Sequence, residues 1–203
     1  MGRKSLNKDR KVLTPKAEQW VRSLFPLLQD RGLEKLTLDE LAALMGKSKS
    51  TIYTYFKTKN EIYNTTVQFI LKDMEATIYS DFPKTDDMEL AYRFMLLNIA
   101  EGLNGMSIQF LDEIKAYFPK VWDTITTFVD RMLDTFKMIY QKGMDNGQFN
   151  HFNIDLMMAM DTHFVVGIMT DAKRFKKAKL SVDDLVTQYL ELRIKALVKF
   201  TKK

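Results

Sequence analysis

The chain of 203 residues is 46% apolar, enough for a sizeable core, and carries a formal net charge of +5. It has no cysteine, which excludes a disulfide scaffold, a cysteine nucleophile and thiolate metal sites, and suits a reducing cytoplasm. The charge is uneven: residues 1–60 hold 13 Lys and Arg against 6 Asp and Glu, while residues 61–203 hold 18 against 20. That is the distribution of a nucleic-acid-binding head on a near-neutral body or, from charge alone, of a solvated basic surface.

Few glycines and prolines (8 and 4) and little apolar alternation point to an all-α protein. Residues 1–11 read as a flexible basic arm without the apolar stretch of a secretory signal. Leu6 stands where a myristoylation signal needs Ser or Thr, so no lipid anchor is expected. The run around "FVVGIM" is far too short to span a bilayer, and the protein reads as soluble and cytoplasmic.

A first helix is predicted from Thr14 as N-cap, with Pro15 in its first turn, to just before Gly32. Pro26 lies inside it and should kink it. "TLDELAALMG" follows, with Thr37 and Glu40 as a capping box and Leu38, Leu41, Ala42 and Met45 as one buried stripe. Gly46 ends this short helix and Ser48 caps the next, whose inner face carries Ile52 and Phe56. Thr58 and Glu61 form another capping box, opening a fourth helix to about Tyr79.

Two short capped helices joined at Gly46-Lys47-Ser48 make a helix-turn-helix. Its second helix would enter a major groove. Lys49, Ser50, Thr51 and Thr54 are donors placed toward base edges, and Tyr53, Tyr55 and Lys59 can reach phosphates at the rim. Thr37 offers a hydroxyl and nearby backbone N–H groups to a phosphate. No Arg, Asn or Gln lies within 47–59 to make a bidentate base contact, so DNA shape should carry part of the reading. Taken singly, Tyr53 could equally be packing and Lys59 merely solvated.

At these residues the sequence resembles the TetR/AcrR family of bacterial transcriptional regulators. The matching pattern runs from Gly32 and Thr37 through "LDELAALMGKSKSTIYTYFKTKNEI", with Ser48, Thr51, Ile52, Tyr53, Tyr55, Phe56, Thr58, Lys59 and Ile62 at its positions. The resemblance covers about 50 residues. It implies a three-helix DNA-binding head, a fourth helix linking it to a ligand-binding body, and a homodimer. It also implies phosphate contacts at Thr37, Tyr53, Tyr55 and Lys59, and groove contacts at Lys49, Ser50 and Thr51. Lys47 departs from the family's small apolar residue and should either loosen the turn or add a phosphate contact. The domains expected are a helix-turn-helix head over 12–60 and a ligand-binding and dimerisation body over 61–203.

In the body, helices are predicted at roughly 86–103, 106–117, 119–146, 153–175 and 181–201, with breaks at Asp81-Phe82-Pro83, Gly105, Pro119, Gly143 to Gly147 and Lys176 to Ser181. About nine helices result. The middle ones are rich in Phe, Tyr and Met, which suit either core or an apolar ligand pocket. Candidate lining residues are Phe94, Met95, Phe110, Tyr117, Trp122, Phe136, Tyr140 and His163, with Asn98, Asp161 or His163 able to orient a ligand. The last two helices carry stripes that could pair with their copies in a dimer or face the protomer's own core. These are Met157, Met160, Phe164, Gly167 and Ile168, then Leu185, Tyr189, Leu192, Ala196 and Phe200.

His151 and His163 are too few and too far apart for a metal site, and no nucleophile–base pair or phosphate loop is present, so no cofactor and no enzymatic activity are expected. The expected function is a dimeric, ligand-responsive DNA-binding regulator, a repressor released by a small apolar or amphipathic effector. The alternative is a helical module whose helix-turn-helix meets a protein.

Overall fold

The computed structural model describes residues 10–170, 177 and 181–199. Among these residues nine helices carry the fold. The first four are α1 (Pro15–Leu28), α2 (Leu38–Leu44), α3 (Lys49–Tyr55) and α4 (Lys59–Asp81). Then come α5 (Met88–Asn104), α6 (Ile108–Tyr117), α7 (Pro119–Asp145), α8 (Ile154–Thr170) and α9 (Val182–Leu197).

Local chemistry fixes most helix starts. Thr14, Thr37, Ser48, Thr58, Ser107 and Ser181 each accept a backbone N–H of the first turn. At Thr37 and Ser181 the N3 carboxylate returns the bond and completes a capping box. At Thr58 the box is shifted, because the Glu61 carboxylate accepts the N–H of Lys57, one residue before the cap. Between α2 and α3, Gly46 takes φ +64°, the left-handed conformation that a helix stop of this kind requires.

Two expected interruptions lie inside helices. α1 runs through Pro26, whose position near the helix end limits the loss to a last-turn backbone bond, and it stops at Leu28, before Gly32 as expected. α7 takes in Gly143 and ends at Asp145, beside the expected 146; the Phe149 ring lies where a Cβ on residue 143 would sit, so that position needs a glycine. The chain then turns at Gly147, within the expected break, at φ +77°. α4 runs to Asp81, past the expected Tyr79. The expected end of the penultimate helix, at 175, lies outside the described residues, as does Phe200, while α9 stops at Leu197, short of the expected 201, where Val198 turns extended and bridges to Phe149.

One apolar core extends from Val21 in α1 to Leu197 in α9. α1 packs on α4, α4 on α7, and α7 on α5, α6 and α8, while α9 packs on α5. Head and body meet through rings. Phe25 of α1 stands edge-on to Phe110 of α6 at 5.5 Å, and Tyr63 of α4, itself edge-on to Phe118 at 4.8 Å, donates its hydroxyl to the Leu33 carbonyl of the head at 2.9 Å. The Ser107 backbone N–H also donates to the Gln29 side chain at 2.7 Å, tying the end of α1 to the start of α6. Among the described residues no helix is long and apolar enough to cross a membrane.

Candidate nucleic-acid interface

α3 is pinned from behind. Ile52 and Phe56 are almost fully buried, while Ser48, Lys49 and Ser50 at its start are exposed and Thr51, Tyr53, Thr54 and Tyr55 are half-buried. The helix therefore presents a hydroxyl-rich N-terminal end and keeps its apolar edge on the head's core. The Ser48 hydroxyl lies 3.0 Å from that of Ser50 and 2.8 Å from that of Thr51, a cluster able to donate or accept. The Thr54 hydroxyl donates back to the Ser50 carbonyl at 3.0 Å.

The cations around this surface are not equally free. Lys49 donates to the Asp39 carboxylate of α2 at 2.8 Å, and that bond holds its ammonium above its ordinary pKa. Lys47 stands over the Trp20 ring at 4.4 Å, so the residue that departs from the family's usual type anchors the turn to α1. Tyr55 packs edge-on to Trp20 at 6.4 Å. Lys59, expected at a phosphate, is half-buried and drawn inward in the unbound protein. Its ammonium donates to the carbonyls of Leu33 and Leu36 at 3.4 and 3.3 Å and to that of Glu34, and it lies over the Phe118 ring at 5.6 Å. The loop before α2 offers carbonyls with no helical partner, and Lys59 satisfies them. Thr37 remains exposed, but its hydroxyl and backbone N–H both engage Glu40.

The arm is placed where sequence reading gave no signal. Its backbone bonds to α3 itself: the Lys11 N–H donates to the Thr54 carbonyl at 3.1 Å, and the Arg10 guanidinium donates to the Tyr53 carbonyl. Two basic residues thus sit against the far end of the exposed helix. Residues 1–9 of the expected arm lie outside the described residues.

The body's candidate residues separate into groups. Met95, Phe110, Phe136 and Tyr140 are fully buried core, and Phe94 and Trp122 pack against that core half-buried. Tyr117 and His163 face solvent, because their helix positions turn away from the core. Asn98 lines an open cleft between α1, α4 and α5, and its amide donates to the Phe94 carbonyl at 2.8 Å. The void enclosed by the body lies elsewhere, between α4, α5 and α7. None of the expected lining residues borders it.

On α8 the expected stripe divides between the protomer's core and its surface. Met157 and Ile168 are buried in the protomer, whereas Leu156 is 60% exposed and Met160 47%. A Cβ on Gly167 would meet nothing within 4 Å. On α9, Leu192 is 67% exposed and Ala196 faces solvent, while Leu185 and Tyr189 are half-buried. Phe164 and Tyr189 stack at 3.7 Å and join the two helices. Asp161, considered above as a ligand-orienting group, is instead buried beside Arg193, 2.9 Å away. Among the described residues no group of three His, Cys, Asp or Glu side chains could hold a metal ion.

Residues 25–66, which contain α2, α3 and the start of α4, match the family of bacterial regulatory proteins of the tetR type. An uncharacterized helix-turn-helix-type transcriptional regulator of Bacillus subtilis, YvaF, is 26% identical over 139 residues, covering 67% of this chain and 72% of the relative. A second such regulator, from Haemophilus influenzae, is 26% identical over 166 residues, covering 81% and 87%. A solved structure of a regulator from Saccharomonospora viridis in complex with choline superposes with a TM-score of 0.75 at 18% identity, covering 92% of this chain and all of that one. The match over residues 25–66 and these relatives support a DNA-binding transcriptional regulator of the tetR family.

Proposed function

We propose that the protein is a homodimeric repressor, acting in the cytoplasm, that leaves its operator when a small molecule occupies the body. The observation that carries the reading is the exposed N-terminal end of α3: Ser48, Lys49 and Ser50 face outward while Ile52 and Phe56 hold the helix from behind. Such an end suits a major groove, where Lys49, Ser50, Thr51 and Thr54 meet bases. Thr37, Lys47, Ser48, Tyr53 and Tyr55 flank it on the phosphate side, and Arg10 and Lys11 add charge at the helix's other end. Lys59 acts indirectly in this reading, by fixing the loop that carries Thr37.

A dimer through α8 and α9 would bury Leu156, Met160, Leu192 and Ala196 and give Gly167 a partner at close range. It would also set the distance between the two recognition helices. The head (12–60) and the body (61–203) share α4 and the rings of Phe25, Phe110, Tyr63 and Phe118, so a shift in the body has a packed route to that distance. An effector works only through its differential affinity for the two states, typically about 1–3 kcal/mol of coupling. The Saccharomonospora viridis regulator of this fold was solved in complex with choline, which supports a small-molecule effector. The reading contains no enzymatic step.

Selection of genomic fragments on the full-length protein tests it. Retained fragments should share a two-fold-related site, and Lys49→Ala should weaken binding to it. Retention of arbitrary fragments, unchanged by Lys49→Ala, would contradict the reading.

A further inference from the structure

The body encloses a void of about 20 Å³ between α4, α5 and α7, walled by Leu71, Ile99, Ile125, Phe128 and Met132 among other apolar side chains. This is about the room for one water, and with no polar partner it should stay dry. A larger cleft of about 360 Å³ lies on the other side of the same wall, between α1, α4 and α5. Met74, Ile78 and Gly102 border both spaces. These three residues therefore stand in the wall between the two spaces, and one of them is a methionine.

The seat of that methionine is specific. A Cβ on Gly102 would overlap the terminal methyl of Met74, so the glycine leaves a recess in α5 and the methionine fills it. Met74 is half-buried and has three rotatable bonds, so rotating it into the cleft is a small rearrangement. The rotation would join void and cleft into one chamber of ordinary ligand-site size.

Among the described residues the chamber has polar side chains only at its outer rim. There the Thr77 hydroxyl donates to the Asp73 carbonyl and the Asn98 amide to the Phe94 carbonyl, both on their own helices. The remaining groups among the described residues are the carboxylates of Asp73 and Glu101, and none of those lining the cleft is a cation. Asp73 is also the partner of Arg22, which lies on α1 over the Phe69 ring at 4.6 Å.

We infer that Met74 is a plug seated on Gly102, and that it yields to a cationic amphiphile whose apolar body enters the α4–α5–α7 void while its ammonium group meets Glu101 and Asp73. The inference rests on the reading of the body as an effector site and names that effector's class. A ligand cation at Asp73 would also compete with Arg22, loosening the clasp between α1 of the head and α4.

Full-length protein carrying methyl-13C methionine provides the test, with decyltrimethylammonium, decanoate and decanol as probes below their micelle-forming concentrations. The cation should bind about fivefold or more tightly than the carboxylate. Its binding should move the Met74 methyl resonance and leave that of Met138, exposed on α7, in place. Glu101→Gln should weaken the cation about fivefold and leave decanol unchanged. Met74→Ala should tighten all three. Equal binding of cation and carboxylate, no binding of any probe, or an unmoved Met74 methyl would overturn the inference. Operator release, read separately, addresses the repressor reading: binding as described without release would contradict that reading and leave the plug standing.

Discussion

Asp161 of α8 and Arg193 of α9 meet at 2.9 Å with side-chain exposures of 3% and 6%, a fully buried ion pair at the centre of the body. Tyr189 donates to the same carboxylate at 2.7 Å, Tyr140 donates to its other oxygen, and Arg193 reaches the Tyr140 hydroxyl at 3.0 Å. Burial opposes the Arg193 charge, but the Tyr140 oxygen and the Asp161 carboxylate outweigh it and raise the guanidinium's pKa above its ordinary value.

Removing one partner leaves the other charged and buried. Arg193→Met should therefore cost about 3–5 kcal/mol, read by urea denaturation at fixed protein concentration. Pairing it with Asp161→Leu should recover part of that loss. A double variant no better than the sum of its two singles would show that the pair does not act as a unit.

Lys49 illustrates restraint rather than recognition, since Asp39 holds it at 2.8 Å in the unbound protein. A phosphate or base edge must compete with that carboxylate. Asp39→Ala should tighten binding to duplex DNA about threefold and Lys49→Ala should weaken it, measured by fluorescence anisotropy. Unchanged affinity in Asp39→Ala would mean that Lys49 does not touch DNA.

The head was legible because its signals are local. Thr37 and Glu40 are three residues apart, Ile52 and Phe56 four, and each pair reports on a single turn of helix. The inward contacts of Lys59 were not legible because its carbonyl partners lie 23 to 26 residues away, in a loop whose path only the packed head defines. Asp161, Arg193 and Tyr140 are separated by 21 to 53 residues, so no spacing rule joins them. On α8 the buried Met157 and the exposed Leu156 were not told apart because both are apolar, and periodicity in so apolar a helix does not choose between them, whereas Met160 is exposed as expected.

Two carboxyls should govern the acid limb of stability. Hydrogen bonds from Thr37 lower the pKa of Glu40, and hydrogen bonds from Ser181 lower that of Asp184. Each folded pKa lies below its unfolded value, so the stabilisation is present above about pH 4 and disappears as pH falls through the lowered folded values. Thr37→Ala and Ser181→Ala should flatten the dependence of the thermal midpoint on pH below about 4.5. A curve parallel to that of the parent protein would show that these boxes do not contribute to it.

Leu192 and Met160 are too exposed for a monomer to gain from them. Leu192→Glu combined with Met160→Lys should convert a dimer to a folded monomer in sedimentation analysis, with helical content retained. Weaker operator binding should follow, because a single recognition helix meets a single half-site. A variant that still sediments as the parent dimer would place the interface elsewhere.

Salt titration of binding to a random duplex tests the outward face of α3 most directly. The logarithm of affinity should fall linearly with the logarithm of salt concentration, at about −0.9 per phosphate contacted, and Lys47→Ala should make the slope shallower by about one such contact. A slope near zero, or one untouched by Lys47→Ala, would contradict the account.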